Sequence, residues 1–205
     1  MPKRKALYAG SFDPITRGHI DIVKKALDTF DVVHIACAQN SGKNRLFSLN
    51  QAQKLMSISL AEELDPSQVD AMVSPENTVA KLLDGKLEIG SFYGTTTIVQ
   101  YARQIKAKYL VRGLRQISDF NDEFTFHGII EHVAPDLTLA HFISKSEFLH
   151  VSSSTARELA KFNSDVSWLV TPAVEHALGT KIKNGSISWE EAAKYRFNPL
   201  QFPTS

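Results

Sequence analysis

Short apolar runs alternate with longer amphipathic segments along most of the chain. The apolar runs are typical of strands buried in a parallel sheet, and the amphipathic segments are typical of helices that cover it. The predicted strands are 6–9, 31–38, 69–73, 108–113 and 137–143. The predicted helices are 20–27, 48–64, 97–106, 120–132 and 155–162. This alternation predicts an α/β fold, a Rossmann-like open parallel sheet with helices on both faces.

Two segments interrupt the alternation. Residues 75–94 contain proline, asparagine and three glycines around a short apolar stretch, which indicates an insertion or a lid. After a break at 181–185, a short capped helix is expected from Ser188. We therefore predict one domain over residues 1–180, with an insertion at about 75–94, followed by a C-terminal extension over 181–205.

Composition and charge exclude few classes of protein. The chain has 205 residues and a formal charge of +1, which allows a full core and gives no reason to expect a nucleic acid or a membrane as partner. Its longest apolar runs are far shorter than a membrane span, and its basic start leads into a strand rather than a signal-peptide core. The single cysteine, Cys37, cannot form a disulfide within the chain and is expected to pack as a small apolar residue. We expect a cytoplasmic location.

The turn at residues 10–19 lies between the first predicted strand and the first predicted helix. It brings Ser11, Thr16 and His19 to a helix N-terminus, where free N–H groups and the helix dipole favour anions. Its spacing differs from the dinucleotide fingerprint, and no P-loop lysine follows. An imidazole N–H at this place can donate to a phosphoryl oxygen as charge accumulates on it. The turn therefore predicts a phosphate-handling site.

Cationic and hydroxyl side chains follow other strands of the predicted sheet. Lys43 lies in the loop after the second strand, and Arg112 and Arg115 flank Gly113 at the end of a later one. Parallel strands bring these positions to one edge, where arginines can bind a phosphate in bidentate fashion. An ion pair with Asp119 or Glu123 is the alternative for either arginine. Three serines, 152–154, precede a helix and offer a further anion site.

The remaining histidines show no metal-ligand spacing and are expected to be core or surface residues. They are His34, His127, His132, His141, His150 and His176. The sequence contains no evident Ser-His-Asp or Cys-His pairing, so it gives no support to covalent catalysis.

Together these motifs resemble those of the phosphopantetheine adenylyltransferase family, within the nucleotidylyltransferase superfamily that has a T/H-x-G-H turn. The matching segments are 9–19, then 111–115 with 118–120 and Glu123, then 152–154 with Arg157 and Glu158. The resemblance covers about residues 4–178. It implies transfer of AMP from ATP to 4′-phosphopantetheine, giving dephospho-coenzyme A and pyrophosphate in coenzyme A biosynthesis.

The resemblance also assigns roles to individual residues. It implies catalytic roles for His19, Lys43 and Arg115. It implies that ATP is bound by Ser11, Phe12, His19, Gly113, Leu114, Arg115, Glu123, Phe148, Leu149, His150, Val151, Ser152, Ser153 and Ser154. It implies that the acceptor is bound by Ser11, Lys43, Ile98 and Arg112. Mg²⁺ is expected with ATP, held largely by phosphate and water oxygens, and relatives assemble as hexamers.

The chain departs from the family at Ile129, Ile130 and Glu131, where relatives often have Met-Asn-Arg near the acceptor pocket. Two alternatives therefore stay open. The first is a related enzyme with another phosphorylated acceptor, such as nicotinamide mononucleotide. The second is a paralogue that binds a nucleotide without turnover. The sequence also leaves open whether coenzyme A regulates the protein by feedback.

Overall fold

The computed structural model describes residues 3–39, 44–73 and 81–186. The strands are β1 (Lys5–Gly10), β2 (Val32–Ala38), β3 (Lys81–Leu82), β4 (Leu87–Phe92), β5 (Tyr109–Leu114) and β6 (Thr138–Ile143). The helices are α1 (Arg17–Thr29), α2 (Leu49–Leu64), α3 (Val69–Val73), α4 (Ile98–Gln104), α5 (Ile117–Val133), α6 (Ser153–Lys161) and α7 (Pro172–Asn184).

One sheet organises the described residues. Its strand order is β3-β4-β2-β1-β5-β6, and every neighbouring pair is parallel except β3 with β4. Residues of β1 alternate between two cores, with Ala6 and Tyr8 on one face and Leu7 and Ala9 on the other. The first face packs against α1, α2 and α7, and the second packs against α4 and α5. The predicted α/β class, with helices on both faces of a mostly parallel sheet, is confirmed.

The segment predicted as a strand at 69–73 is a helix, α3, so that prediction is wrong. Val69 and Met72 are both buried in the core on the α2 side of the sheet. Their spacing of three residues puts them on one side of a helical turn, whereas in a strand successive residues point to opposite faces and positions three apart are separated. A five-residue segment is too short to separate these two periods, and packing against α2 decides for the helix.

The interpretation of 75–94 as an insertion or a lid is wrong for residues 81–92. These residues form β3 and β4, and β4 is an internal strand that pairs with β2 over six registered positions. Leu87 and Ile89 are buried in the core. Residues 75–80 of the segment lie outside the described residues, and so does the helix expected from Ser188.

Gly90 interrupts the apolar pattern of β4, and the sequence therefore did not predict a strand there. A Cβ on Gly90 would lie 2.7 Å from both His34 Nε2 and Tyr101 Oη, so a larger residue would have to displace these two side chains. His34 is buried, and its two ring nitrogens lie 3.0 Å from Glu88 Oε2 and from Tyr101 Oη. The absence of a side chain at Gly90 leaves room for the hydrogen bond between His34 in the sheet and Tyr101 on α4.

The predicted boundary at residue 180 falls inside α7. The helix continues to Asn184 and ends at Gly185, which has the left-handed φ of 70° that favours glycine. The division into one domain and an extension otherwise stays a prediction. Cys37 is a buried free cysteine in the core of β2, as expected.

Candidate active site

A cleft of about 600 Å³ opens at the carboxyl ends of β1 and β5. It is lined by eleven of the predicted site residues, namely Ser11, Phe12, His19, Arg112, Gly113, Arg115, Glu123, Val151, Ser152, Ser153 and Ser154. The parallel registers of β1 with β2 and β5 bring these separated motifs to one edge of the sheet. The structure therefore assembles the residues that the three motifs predicted to act together.

Other predicted site residues do not line this cleft as far as the structure describes it. They are Leu114, Phe148, Leu149, His150 and Ile98. Lys43 lies outside the described residues. The functional roles assigned to all of these residues stay predictions.

His19 is held by the N-terminus of α1. Thr16 is the N-cap of this helix, and the Thr16 N–H donates to His19 Nδ1 at 3.1 Å. Burial, with the Arg115 charge as a second cause, lowers the pKa of His19 to about 3. The ring is therefore neutral near pH 7. Because Nδ1 accepts a hydrogen bond, the proton of the neutral ring is on Nε2, where it is available to a ligand in the cleft.

The Phe12 side chain, which is part of the cleft lining, also supports this ring. Phe12 is buried, and its ring meets that of His19 edge to face with centroids 5.0 Å apart. A Cβ on Gly10 would lie 3.0 Å from the Phe12 ring, so this turn requires a small residue at position 10. The glycine of the first motif thus allows Phe12 to fix the imidazole.

The lowered pKa of His19 predicts a loss of stability in acid. The unfolded chain binds a proton at His19 below about pH 6.5, whereas the folded chain does so only near pH 3. This contribution to stability is complete above pH 6.5 and is lost as the pH falls towards 3. His19→Gln keeps a capping side chain and removes the titration. Urea midpoints from pH 7 to pH 4.5 should fall less for His19→Gln than for the native protein, and equal falls would contradict the assignment.

Both arginines of the second motif form ion pairs with Asp119 or Glu123, which was the alternative to phosphate binding considered for either of them. Arg112 Nε donates to the two carboxylate oxygens of Glu123 at 2.9 and 2.8 Å. Arg115 Nε donates to Asp119 Oδ2 at 3.3 Å, and its Nη1 donates to the Val151 carbonyl at 3.1 Å. These pairs orient the two guanidinium groups along the β5 side of the cleft.

The three serines at the N-terminus of α6 form different hydrogen bonds. Ser152 is the N-cap and accepts the Thr155 N–H at 3.1 Å. Ser153 Oγ donates to the Pro14 carbonyl at 2.7 Å, which fastens α6 to the turn after β1. Ser154 lies 2.9 Å from the Ser152 hydroxyl. The helix N-terminus that lines the cleft is thereby fixed against the turn that holds His19.

Sequence reasoning missed Asp13 and Arg157 as parts of the site. The buried Asp13 carboxylate accepts the Leu46 and Phe47 N–H groups at 2.9 Å each. Arg157 Nη1 lies 3.7 Å from Asp13 Oδ2 and also bonds to the Asp13 carbonyl. Both residues occur within the matched motifs, but their partners are distant in sequence. Together they join the β1 turn, the loop before α2 and helix α6.

The charges that line the cleft are balanced. Four arginines (Arg45, Arg112, Arg115 and Arg157) face four carboxylates (Asp13, Asp119, Asp122 and Glu123) among the described lining residues. Because His19 is neutral, a highly charged anion needs further positive charge in order to bind tightly here. Cys37 supplies no nucleophile, since it is buried and its pKa is raised to about 12 by that burial.

The departures at 129–131 lie away from the cleft lining that the structure describes. Ile130 is buried in the core that packs against α4. Glu131 is exposed and its carboxylate lies 3.3 Å from His127 Nε2, also on α5. These substitutions therefore leave the described cleft lining unchanged.

The comparisons with known proteins agree with this geometry. The cytidylyltransferase-like family matches residues 7–159. A phosphopantetheine adenylyltransferase of Desulfitobacterium hafniense is 37% identical over 178 residues, covering 87% of this chain and 95% of its own. One from Alkaliphilus metalliredigens is 32% identical over 175 residues, covering 85% and 97%.

A solved structure shares the fold at lower identity. The nicotinic acid mononucleotide adenylyltransferase of Plasmodium falciparum, complexed with NaAD, superposes with a TM-score of 0.54 at 16% identity, covering 95% of this chain and 98% of its own. In the described part of the chain, no helix has both the length and the apolar character needed to cross a bilayer. The family match and the identities over most of both chains establish the relationship: the chain belongs to the phosphopantetheine adenylyltransferase family, within the wider cytidylyltransferase-like family.

Proposed function

We propose that the protein transfers AMP from ATP to 4′-phosphopantetheine, giving dephospho-coenzyme A and pyrophosphate. The observation that best supports this function is the neutral imidazole of His19. Its Nε2 N–H is available at a helix N-terminus, in a cleft shared with Arg115 and the N-terminus of α6. These are donors suited to a phosphoryl group that gains charge as it is transferred.

The reaction joins two substrates directly. A phosphate oxygen of the acceptor attacks the α-phosphorus of ATP, and the bond from that phosphorus to the pyrophosphate oxygen breaks. Such a step needs orientation and charge stabilisation rather than a protein nucleophile. The His19 N–H stabilises the α-phosphoryl oxygens, and Arg115 with the α6 N-terminus holds the remaining phosphates. The resemblance assigns Lys43 and Arg112 to the acceptor side, and of these two Arg112 is held on the β5 side of the cleft by its ion pair with Glu123.

Magnesium is part of the proposal, because the balanced charges of the cleft leave the triphosphate uncompensated. Asp122 is the one carboxylate among the described lining residues that forms no ion pair with the other described residues, and it suits a metal bound chiefly by phosphate and water oxygens. When bound, the ion neutralises phosphate charge. We expect chelation with EDTA to abolish pyrophosphate release and added Mg²⁺ to restore it. Full activity in EDTA would contradict the proposal.

The acceptor is tested directly by incubating the protein with ATP and a panel of acceptors. Pyrophosphate release with 4′-phosphopantetheine is the expected result. Release only with nicotinamide mononucleotide or another phosphorylated acceptor would support the related enzyme. ATP binding without any release would support a non-catalytic paralogue.

Assembly into a homo-oligomer, a hexamer by resemblance, is also proposed. Its support is a set of exposed apolar side chains on α5, namely Ile117, Phe120, Phe124, Ile129 and Val133. Large exposed apolar surfaces favour burial against a partner. Light scattering should give a mass above that of one chain, and a monomer at micromolar concentration would contradict it. The cytoplasmic location stays a prediction.

A further inference from the structure

Arg45 is a cation of the cleft that the motifs did not single out. It lies in the loop between β2 and α2, and its guanidinium group donates to three backbone carbonyls. Nε bonds Phe47 O at 3.1 Å, Nη1 bonds Ala38 O at 3.1 Å, and Nη2 bonds Ser11 O at 2.7 Å. These bonds fix the group between the end of β2 and the turn after β1.

The charge of Arg45 has no acidic partner among the described residues. Arg112, Arg115 and Arg157 each lie within 4 Å of a carboxylate oxygen, whereas the hydrogen bonds of Arg45 to described residues are all to neutral carbonyl groups. A guanidinium group has five N–H donors, and the three described bonds use three of them. A fixed cation with two remaining donors at the wall of a cleft is suited to bind a phosphate.

The position of Arg45 indicates which phosphate it meets. In the sheet, β1 lies between β2 and β5. Arg115 and the N-terminus of α6 lie on the β5 side of the His19 turn, where the triphosphate is proposed to bind. Arg45 follows β2, on the opposite side of the Ser11 turn. In-line transfer requires the acceptor phosphate to approach from the side opposite the leaving pyrophosphate.

We propose that Arg45 binds the phosphate of the acceptor substrate, an inference that rests on the proposed function. Arg45 then has two connected tasks. Its carbonyl bonds hold the Ser11 turn against the end of β2, and its remaining N–H groups orient the attacking phosphate oxygen.

The test compares ligands with and without the phosphate. Calorimetry measures binding of 4′-phosphopantetheine and of pantetheine to the native protein, Arg45→Gln and Arg45→Lys. We expect Arg45→Gln to weaken phosphopantetheine binding by about 10- to 100-fold more than it weakens pantetheine binding. Arg45→Lys should recover part of this loss, because lysine keeps the charge but not the planar fork. Arg103→Gln is the matched control, since Arg103 is an exposed arginine paired with Asp136 outside the cleft lining.

The other outcomes separate a failure of this inference from a failure of the proposed function. Equal weakening of both ligands would overturn the inference and leave Arg45 with only a structural task. Weakened ATP binding with intact acceptor binding would also overturn it. If the native protein uses a different phosphorylated acceptor in the panel, the same comparison is made with that acceptor and its dephosphorylated form. If the native protein uses no acceptor at all, the proposed function fails whatever the variants show.

Discussion

His19→Ala is expected to lower the kcat of adenylyl transfer by about 100- to 1000-fold, with little change in the Kd for ATP. The described hydrogen bonds of His19 are to Thr16, and the proton left on Nε2 faces the cleft. A donor that meets charge developed only in the transition state contributes to kcat and not to ground-state binding. Single-turnover pyrophosphate release, with ATP binding measured by calorimetry, separates the two quantities.

The comparison with His19→Gln sharpens this experiment. Glutamine keeps the capping box at the start of α1, so a loss shared by both variants cannot come from an uncapped helix. A large loss of ATP affinity with unchanged kcat would show that His19 binds ground-state ATP instead.

Asp13→Ala is expected to lower the free energy of unfolding by about 3 kcal/mol, since it leaves two buried N–H groups and one arginine without their partner. Asp13 is only 5% exposed, and its carboxylate accepts from both Leu46 and Phe47. For a chain of this size the loss corresponds to a Tm lower by about 6–12 °C. Thermal unfolding followed by circular dichroism measures it.

Asp31→Ala is the matched control for this substitution. Asp31 also accepts a backbone N–H, that of Arg4 at 2.7 Å, but its side chain is 44% exposed, so water replaces the lost partner. Its Tm should change little. A Tm of Asp13→Ala close to that of Asp31→Ala would show that the contacts of Asp13 do not hold the cleft together.

The fold and the position of the site follow from local patterns. Buried parallel strands need apolar residues on both faces, which makes β1, β2 and β5 readable as short apolar runs. The carboxyl ends of parallel strands meet at one edge of a sheet, so the sequence alone predicted that the polar residues after these strands lie close together. The pairing of Arg112 and Arg115 with acidic residues of α5 was also an open alternative.

Other features depend on contacts between distant residues. Strand β4 was missed because Gly90 interrupts its apolar pattern. A glycine stands at this position because the side chains of His34, on β2, and Tyr101, on α4, approach it closely. The partners of Asp13 are residues that lie 33, 34 and 144 positions away in the chain. The residues adjacent to Gly90 and Asp13 in the sequence do not indicate these contacts with distant residues.

By itself the sequence determined the α/β architecture, the edge of the sheet that holds the site, and eleven of the residues that line the cleft. The architecture and the edge follow from the apolar periodicity of neighbouring residues, and the full set of eleven follows from the motifs that resemble those of the family. Only the tertiary structure decided that His19 is neutral with its proton on Nε2, that the cleft arginines are matched by carboxylates, and that Arg45 has only carbonyl partners among the described residues. Burial and charge pairing are set by groups brought together from distant parts of the chain, and a one-dimensional pattern does not contain those distances.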